Sequence, residues 1–125
     1  MGRHVLIVED DEITALVISE YLAACGYRTT VAHNGTEGIS KFMTLEPDMA
    51  LVDVLLPKKD GFDVCFVMKA CEHGKKAPVM LMSAIYRDAE EAETYARGLS
   101  AAGFIKKPFD LDQLVSRVHD LIGPP

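Results

Sequence analysis

Three kinds of side chain in this 125-residue sequence could do chemistry together: the acids Glu9, Asp10, Asp11 and Asp53, the hydroxyl of Ser83 and the amine of Lys107. Carboxylates brought close to one another repel unless a cation intervenes. An all-oxygen donor set with open positions suits magnesium, which takes one or two carboxylates and fills the rest of its shell with water and phosphate oxygens. The remaining parts then fit phosphoryl chemistry. An aspartate can act as a nucleophile and form an acyl phosphate. A metal and a lysine offset the charge on the transferred oxygens, and a small hydroxyl can donate to one of them. All of this requires that residues far apart in the chain meet at one place.

The elements that must bring them together are legible as short apolar runs. Residues 5–8, Val-Leu-Ile-Val, predict a strand buried on both faces. Residues 29–32, 49–54, 79–82 and 103–106 predict four more. Helical spacing recurs between them. Over 12–24 the predicted inward stripe is Ile13, Leu16, Val17, Tyr21 and Leu22. Over 36–45 it is Ile39, Phe42 and Met43, and over 62–72 it is Val64, Val67 and Met68. Residues 88–99 predict a fourth helix, and a last one runs from the cap at Asp110 to 122 with Leu114, Val118 and Leu121 inward. Asp11, Asp88 and Asp110 fit as N-caps and Gly26 as a C-cap. Alternation of strand and helix five times over implies a parallel sheet with helices on both faces. Ligands of such sheets bind beyond the carboxyl ends of the strands. Glu9-Asp10-Asp11 follow the first strand, Asp53 ends the third, Ser83 the fourth and Lys107 the fifth, so the chemistry gathers at one edge.

Composition narrows the function classes. Hydrophobic residues are 49% and charged residues 26%, the balance of a globular domain. The expected organisation is one domain, 1–122, with 123–125 a tail or the start of a linker. A net charge of −6 repels nucleic-acid phosphates, so no direct nucleic-acid binding is expected of this domain. Cys25, Cys65 and Cys71 are odd in number and lack CxxC spacing, which fits inert thiols in a reducing cytoplasm and neither a disulfide framework nor a zinc site. His4, His33, His73 and His119 have no metal-ligand spacing and are read as surface residues. The apolar run near the start is too short for a membrane span or a signal peptide. A cytoplasmic location with no membrane contact is expected.

Four blocks, Val8-Glu9-Asp10-Asp11, Asp53-Val54-Leu55-Leu56-Pro57 with Gly61, Ser83-Ala84 and Lys107-Pro108-Phe109, resemble the signature of receiver domains in two-component signalling. Any one block is weak. All four, in order and each at a predicted strand end, are specific, and the resemblance covers residues 4–122. It implies a single-domain, doubly wound (βα)5 flavodoxin-like α/β sandwich whose five-stranded parallel sheet has the order 2-1-3-4-5. It implies that Asp53 is the phosphoacceptor, charged from a kinase phosphohistidine. Asp10 and Asp53 would ligate magnesium directly, with the backbone carbonyl of Leu55. Glu9, acidic where the family usually has Asp, would act mainly through a metal-bound water. Lys107 would pair with Asp53 or its phosphoryl group, and the Lys107-Pro108 bond would be cis. Ser83 takes the place of the switch hydroxyl, and Phe104, where Tyr is frequent, that of the switch aromatic. The stretch before the fifth strand departs from the usual Gly-Ala, reading Ser100-Ala101-Ala102-Gly103.

The implied partners are a sensor histidine kinase or phosphotransfer protein upstream and an effector protein or domain downstream, meeting roughly residues 88–122. Such a module is a signalling switch, not an enzyme; it promotes only its own phosphorylation and dephosphorylation. Leu55 and Ile85 would flank the hydrolytic water, and neither can orient it, which implies a long-lived aspartyl phosphate. Two alternatives are weaker. A phosphatase of the haloacid-dehalogenase type places a second Asp two residues after its nucleophile, and here Leu55 cannot transfer a proton. A degenerate receiver that binds partners without phosphorylation would have no need of the acids, Ser83 and Lys107. An EF-hand calcium loop is excluded by the spacing after Asp11.

Overall fold

Residues in the central strands are buried on both faces, and their alternation divides the interior in two. Five parallel strands, β1 (His4–Val8), β2 (Arg28–Ala32), β3 (Met49–Asp53), β4 (Val79–Ser83) and β5 (Gly103–Lys106), form one sheet of order β2-β1-β3-β4-β5. Among the described residues the complete helices are α1 (Glu12–Ala24), α2 (Gly35–Leu45), α3 (Gly61–Ala70) and α4 (Leu111–Ile122), with a 3₁₀ turn at His73–Lys75. The computed structural model describes residues 2–84, 94 and 96–125. The helix expected over 88–99 falls mostly outside the described residues, as do its cap Asp88 and the water-flanking Ile85; residues 96–98 are helical.

On one face of the sheet Leu6, Val8, Ala50, Val52, Val79 and Leu81 pack with Phe42 of α2 and with Val64, Cys65 and Met68 of α3. On the other, Val5, Ile7, Met49, Leu51, Met80 and Met82 pack with Ile18 and Leu22 of α1 and with Leu114 and Val118 of α4. Helices therefore cover both faces, as the alternation predicts. Asp11 caps α1 by accepting from the backbone of Thr14 at 2.9 Å, and Asp110 caps α4 through the backbone of Asp112 at 2.9 Å. Among the described residues no helix is long and apolar enough to cross a membrane. The three cysteines are free.

Two helices depart from the stripes their spacing predicts, α1 over most of its face and α2 at Met43 alone, since Ile39 and Phe42 pack inward as expected. In α1 the sheet-facing line is Ala15, Ile18 and Leu22, while Ile13 (74% exposed), Leu16 and Val17 face outward. This helix has apolar residues enough for two overlapping stripes, and the sheet takes the one that lets Ala15 approach closely. In α2 the buried line is Gly35, Gly38 and Phe42, and Met43 is exposed. A Cβ on Gly38 would lie 2.8 Å from Val8 Cγ2, so it is the missing side chain that lets this helix settle on β1.

Two histidines read as surface residues are built into the structure. The His73 ring lies 5.2 Å from that of Phe42, and its Nε2 meets the Pro47 carbonyl at 2.5 Å. In β1, His4 Nε2 meets the Thr30 hydroxyl at 2.7 Å. Burial and the Arg28 guanidinium hold His4 below the ordinary histidine value of 6.5, outweighing the opposite pull of Asp48. As pH falls, the unfolded chain takes up this proton first. His4 therefore contributes stability that is present above 6.5 and is lost as pH falls through the lower folded value. Urea midpoints between about pH 7 and about pH 5.5 should fall more in the parent than in His4→Gln. Equal falls in the two would remove His4 as the source.

Candidate functional site

Strand register carries the candidate residues to one edge. Val8 of β1 lies beside Val52 of β3, so Glu9 and Asp53 follow side by side. Asp53 lies beside Met82 of β4, with Ser83 one step beyond. Ser83 in turn lies beside Lys106 of β5, and Lys107 comes next. Alternation puts Glu9, Asp53 and Lys107 in phase with Ile7, Leu51 and Ile105, on the face covered by α1 and α4. Lys106, out of phase, is exposed.

The side chains meet. One carboxylate oxygen from each of Glu9, Asp10 and Asp53 lies within 4.8 Å of the other two. Glu9 is 1% and Asp53 6% exposed, while Asp10 is open to solvent. The Lys107 ammonium donates to Glu9 Oε1 and, at 3.3 Å, to Asp53 Oδ2. The second oxygens are also engaged. Glu9 Oε2 accepts from the Asp11 backbone N–H at 3.3 Å, and Asp53 Oδ1 from the Leu55 N–H at 3.4 Å. Asp11 itself turns away to cap α1, and the Thr14 hydroxyl and N–H hold its carboxyl below the usual range.

Burial raises the Glu9 carboxyl above its ordinary value; Lys107 opposes this, and the neighbouring Asp53 adds to it. For Lys107, burial pulls downward, but the Glu9 hydrogen bond and the charges of Asp53 and Glu9 prevail, so the amine is raised and stays a cation. The arrangement is therefore a partly buried lysine facing an excess of acid. Such a cluster can accept a cation and can hold an anionic group beside the ammonium.

Of the remaining candidates, Ser83 is buried at the tip of β4, and its carbonyl accepts from the Lys107 N–H at 2.9 Å. Leu55 reaches the site through its backbone N–H, and its side chain is exposed. Phe104 is buried on the opposite face of the sheet, among the residues that pack with α2 and α3. The Lys107-Pro108 bond is cis, as the resemblance implies.

One neighbouring feature was not anticipated: an open groove of about 420 Å³ between α1 and the start of α4. Ile13, Val17, Pro108, Phe109 and Leu111 line it, and Lys107 stands in its wall. The available signal was the surplus of apolar residues on α1.

Known proteins share this sequence family and this fold. The chain matches the family model of the response regulator receiver domain over residues 5–119. It is 30% identical over 118 residues to the DNA-binding dual master transcriptional regulator RpaA of Synechocystis, an alignment covering 94% of this chain and 48% of that protein. The chain thus spans about half the length of the curated relatives it matches. Its fold superposes with a TM-score of 0.88 on the receiver domain of a Francisella response regulator, 27% identical, over 97% of each chain. It superposes with a TM-score of 0.87 on the receiver domain of a Pseudomonas aeruginosa sensor histidine kinase, 25% identical, over 98% of this chain and 99% of that one. The latter was crystallised with a magnesium ion coordinated in its active site cleft. A five-stranded parallel sheet of this order, ending in acids at the tips of β1 and β3 and a lysine after β5, together with a family match over nearly the whole sequence, makes this chain a response regulator receiver domain, the signalling domain of two-component systems.

Proposed function

We propose that this domain is a phosphorylation switch in which Asp53 accepts a phosphoryl group, in the presence of magnesium, from a phosphohistidine on a sensor kinase or phosphotransfer protein. The observation that carries this reading is the meeting of the Glu9, Asp10 and Asp53 carboxylates with the Lys107 ammonium at one sheet edge.

The donor set fits magnesium. All the donors are oxygen, and three carboxylates against one ammonium leave an excess of two negative charges. Asp10 and Asp53 would hold the ion with the Leu55 carbonyl, and Glu9 would act through a bound water. When bound, the ion supplies charge neutralisation at the transferred oxygens. The chain's own residues do the rest. An Asp53 carboxylate oxygen attacks phosphorus, and the O–P bond forms as the donor's N–P bond breaks. The imidazole leaves with that electron pair. Lys107, already 3.3 Å from Asp53, pairs with a phosphoryl oxygen, and the Ser83 hydroxyl donates to another.

A switch of this kind needs two forms within a few kcal/mol of each other, so that one phosphoryl group can tip the balance. Ser83 and Phe104 are the residues proposed to carry the change toward residues 88–122, where an effector protein or domain would read it. Phe104 is already buried, so its part is a change of packing within the core.

The test is incubation with acetyl phosphate, with and without magnesium, read by intact mass. The parent should gain one phosphoryl group only with magnesium, and Asp53→Ala should gain none. Labelling of Asp53→Ala to the level of the parent, or labelling indifferent to magnesium, would overturn the reading.

A further inference from the structure

We propose that Glu9 is a two-position arm that makes the placement of Lys107 depend on the cation; this rests on the phosphoacceptor reading above. Glu9 is buried and both of its oxygens are engaged, Oε1 with the Lys107 ammonium and Oε2 with the Asp11 N–H. Of the two acids that Lys107 meets, Glu9 is the nearer, and Asp53 stands at 3.3 Å. The lysine that a phosphoryl group on Asp53 requires is thus held mainly by a different residue.

The same Glu9 carboxylate belongs to the three-acid cluster. It cannot serve a dication, or a water bound to one, and still grip the ammonium as closely. The two cations also repel each other across this short distance. Cation binding therefore draws Glu9 off Lys107 and frees the ammonium for an oxygen of the phosphoryl group that Asp53 would carry. An aspartate at this position, one methylene shorter, would withdraw the carboxylate by about 1.5 Å. That is enough to break the grip on Lys107 while keeping the charge. Residue 9 is accordingly a positioning residue: it acts on the phosphoryl group through Lys107.

Calorimetric titration with magnesium chloride tests this in four proteins: the parent, Lys107→Met, Glu9→Asp and the double variant. If Glu9 is shared, removing the lysine tightens magnesium binding by about tenfold in the parent and by under about threefold in the Glu9→Asp background. The same factor in both backgrounds would mean simple repulsion between lysine and ion, and the arm would be overturned. Absence of magnesium binding in all four would bring down the phosphoacceptor reading as well, so the two failures are distinguishable. A measurement on the side chain itself covers the case in which Lys107→Met does not fold. The ¹⁵Nζ resonance of Lys107 should move on magnesium addition in the parent and move much less in Glu9→Asp. Equal movement in the two overturns the proposal.

Discussion

Gly61→Ala should destabilise the domain by about 3 kcal/mol, at the upper end of what overpacking costs. Gly61 opens α3 directly after its cap Asp60, and its N–H donates to the Val54 carbonyl at 2.9 Å. A Cβ placed there would stand 2.1 Å from the Asp53 carbonyl oxygen and 2.6 Å from Val54 Cα. Both are backbone atoms, so no rotamer can relieve the contact. Either α3 withdraws from the sheet or the tip of β3 moves, and that tip carries the proposed phosphoacceptor. The demand is for close approach, one of the uses that glycine serves. Urea denaturation would measure the loss, and acetyl phosphate labelling should fall with it because Asp53 is displaced. Gly98→Ala is the matched control. Nothing lies within 4 Å of its added carbon, and a helical position gains up to about 1 kcal/mol from the exchange. A loss below about 1 kcal/mol at Gly61 would show that the start of α3 can slide outward without disturbing β3.

The contrast between these glycines also shows where the sequence could be read and where it could not. Strand and helix alternation was legible because buried parallel strands are short, continuous apolar runs, and the acids and the lysine were visible because each ends such a run. What sequence spacing could not rank was closeness. Gly38 carries no hydrophobic weight, yet it sets the inward face of α2 by admitting Val8, and Met43 is left outside as a result. On α1 two apolar stripes overlap, and only the sheet could choose between them. The unchosen residues Ile13 and Val17 became one wall of the groove that leads to Lys107. The partnership of Glu9 with Lys107 was equally hidden. The acid at position 9 was expected to look toward a metal-bound water, and in the structure it also grips the lysine, because its longer side chain reaches across from the tip of β1. Phe104, the proposed switch aromatic, lies by the parity of β5 on the other face of the sheet from the acids, a placement its position in the motif alone does not reveal.

That grip leads to the second large effect, the response of Lys107→Met to magnesium. Methionine keeps most of the volume of the lysine stem and removes the charge. In metal-free buffer the variant leaves the Glu9 and Asp53 carboxylates, side chains 1% and 8% exposed, without the ammonium that faces them. Removing one partner of a buried pair costs 3–5 kcal/mol in general, because the other charge stays buried and uncompensated. Here the lysine side chain is 20% exposed and Asp10 opens the site to water, so about 2 kcal/mol is expected. A cation restores the compensation. At a hundredfold excess over its dissociation constant, magnesium adds about 2.7 kcal/mol to either protein, and the variant reaches that excess at a lower concentration because no ammonium opposes the ion. In a domain of this size each kcal/mol moves the melting temperature by about 3–5 °C. Melts in chelator should therefore separate the two proteins by several degrees, and at a fixed submillimolar magnesium concentration the gap should narrow or close. A variant as stable as its parent in chelator would show that water alone is enough to support these carboxylates. Lys107 would then be held at the site for the phosphoryl group and would contribute nothing to the fold.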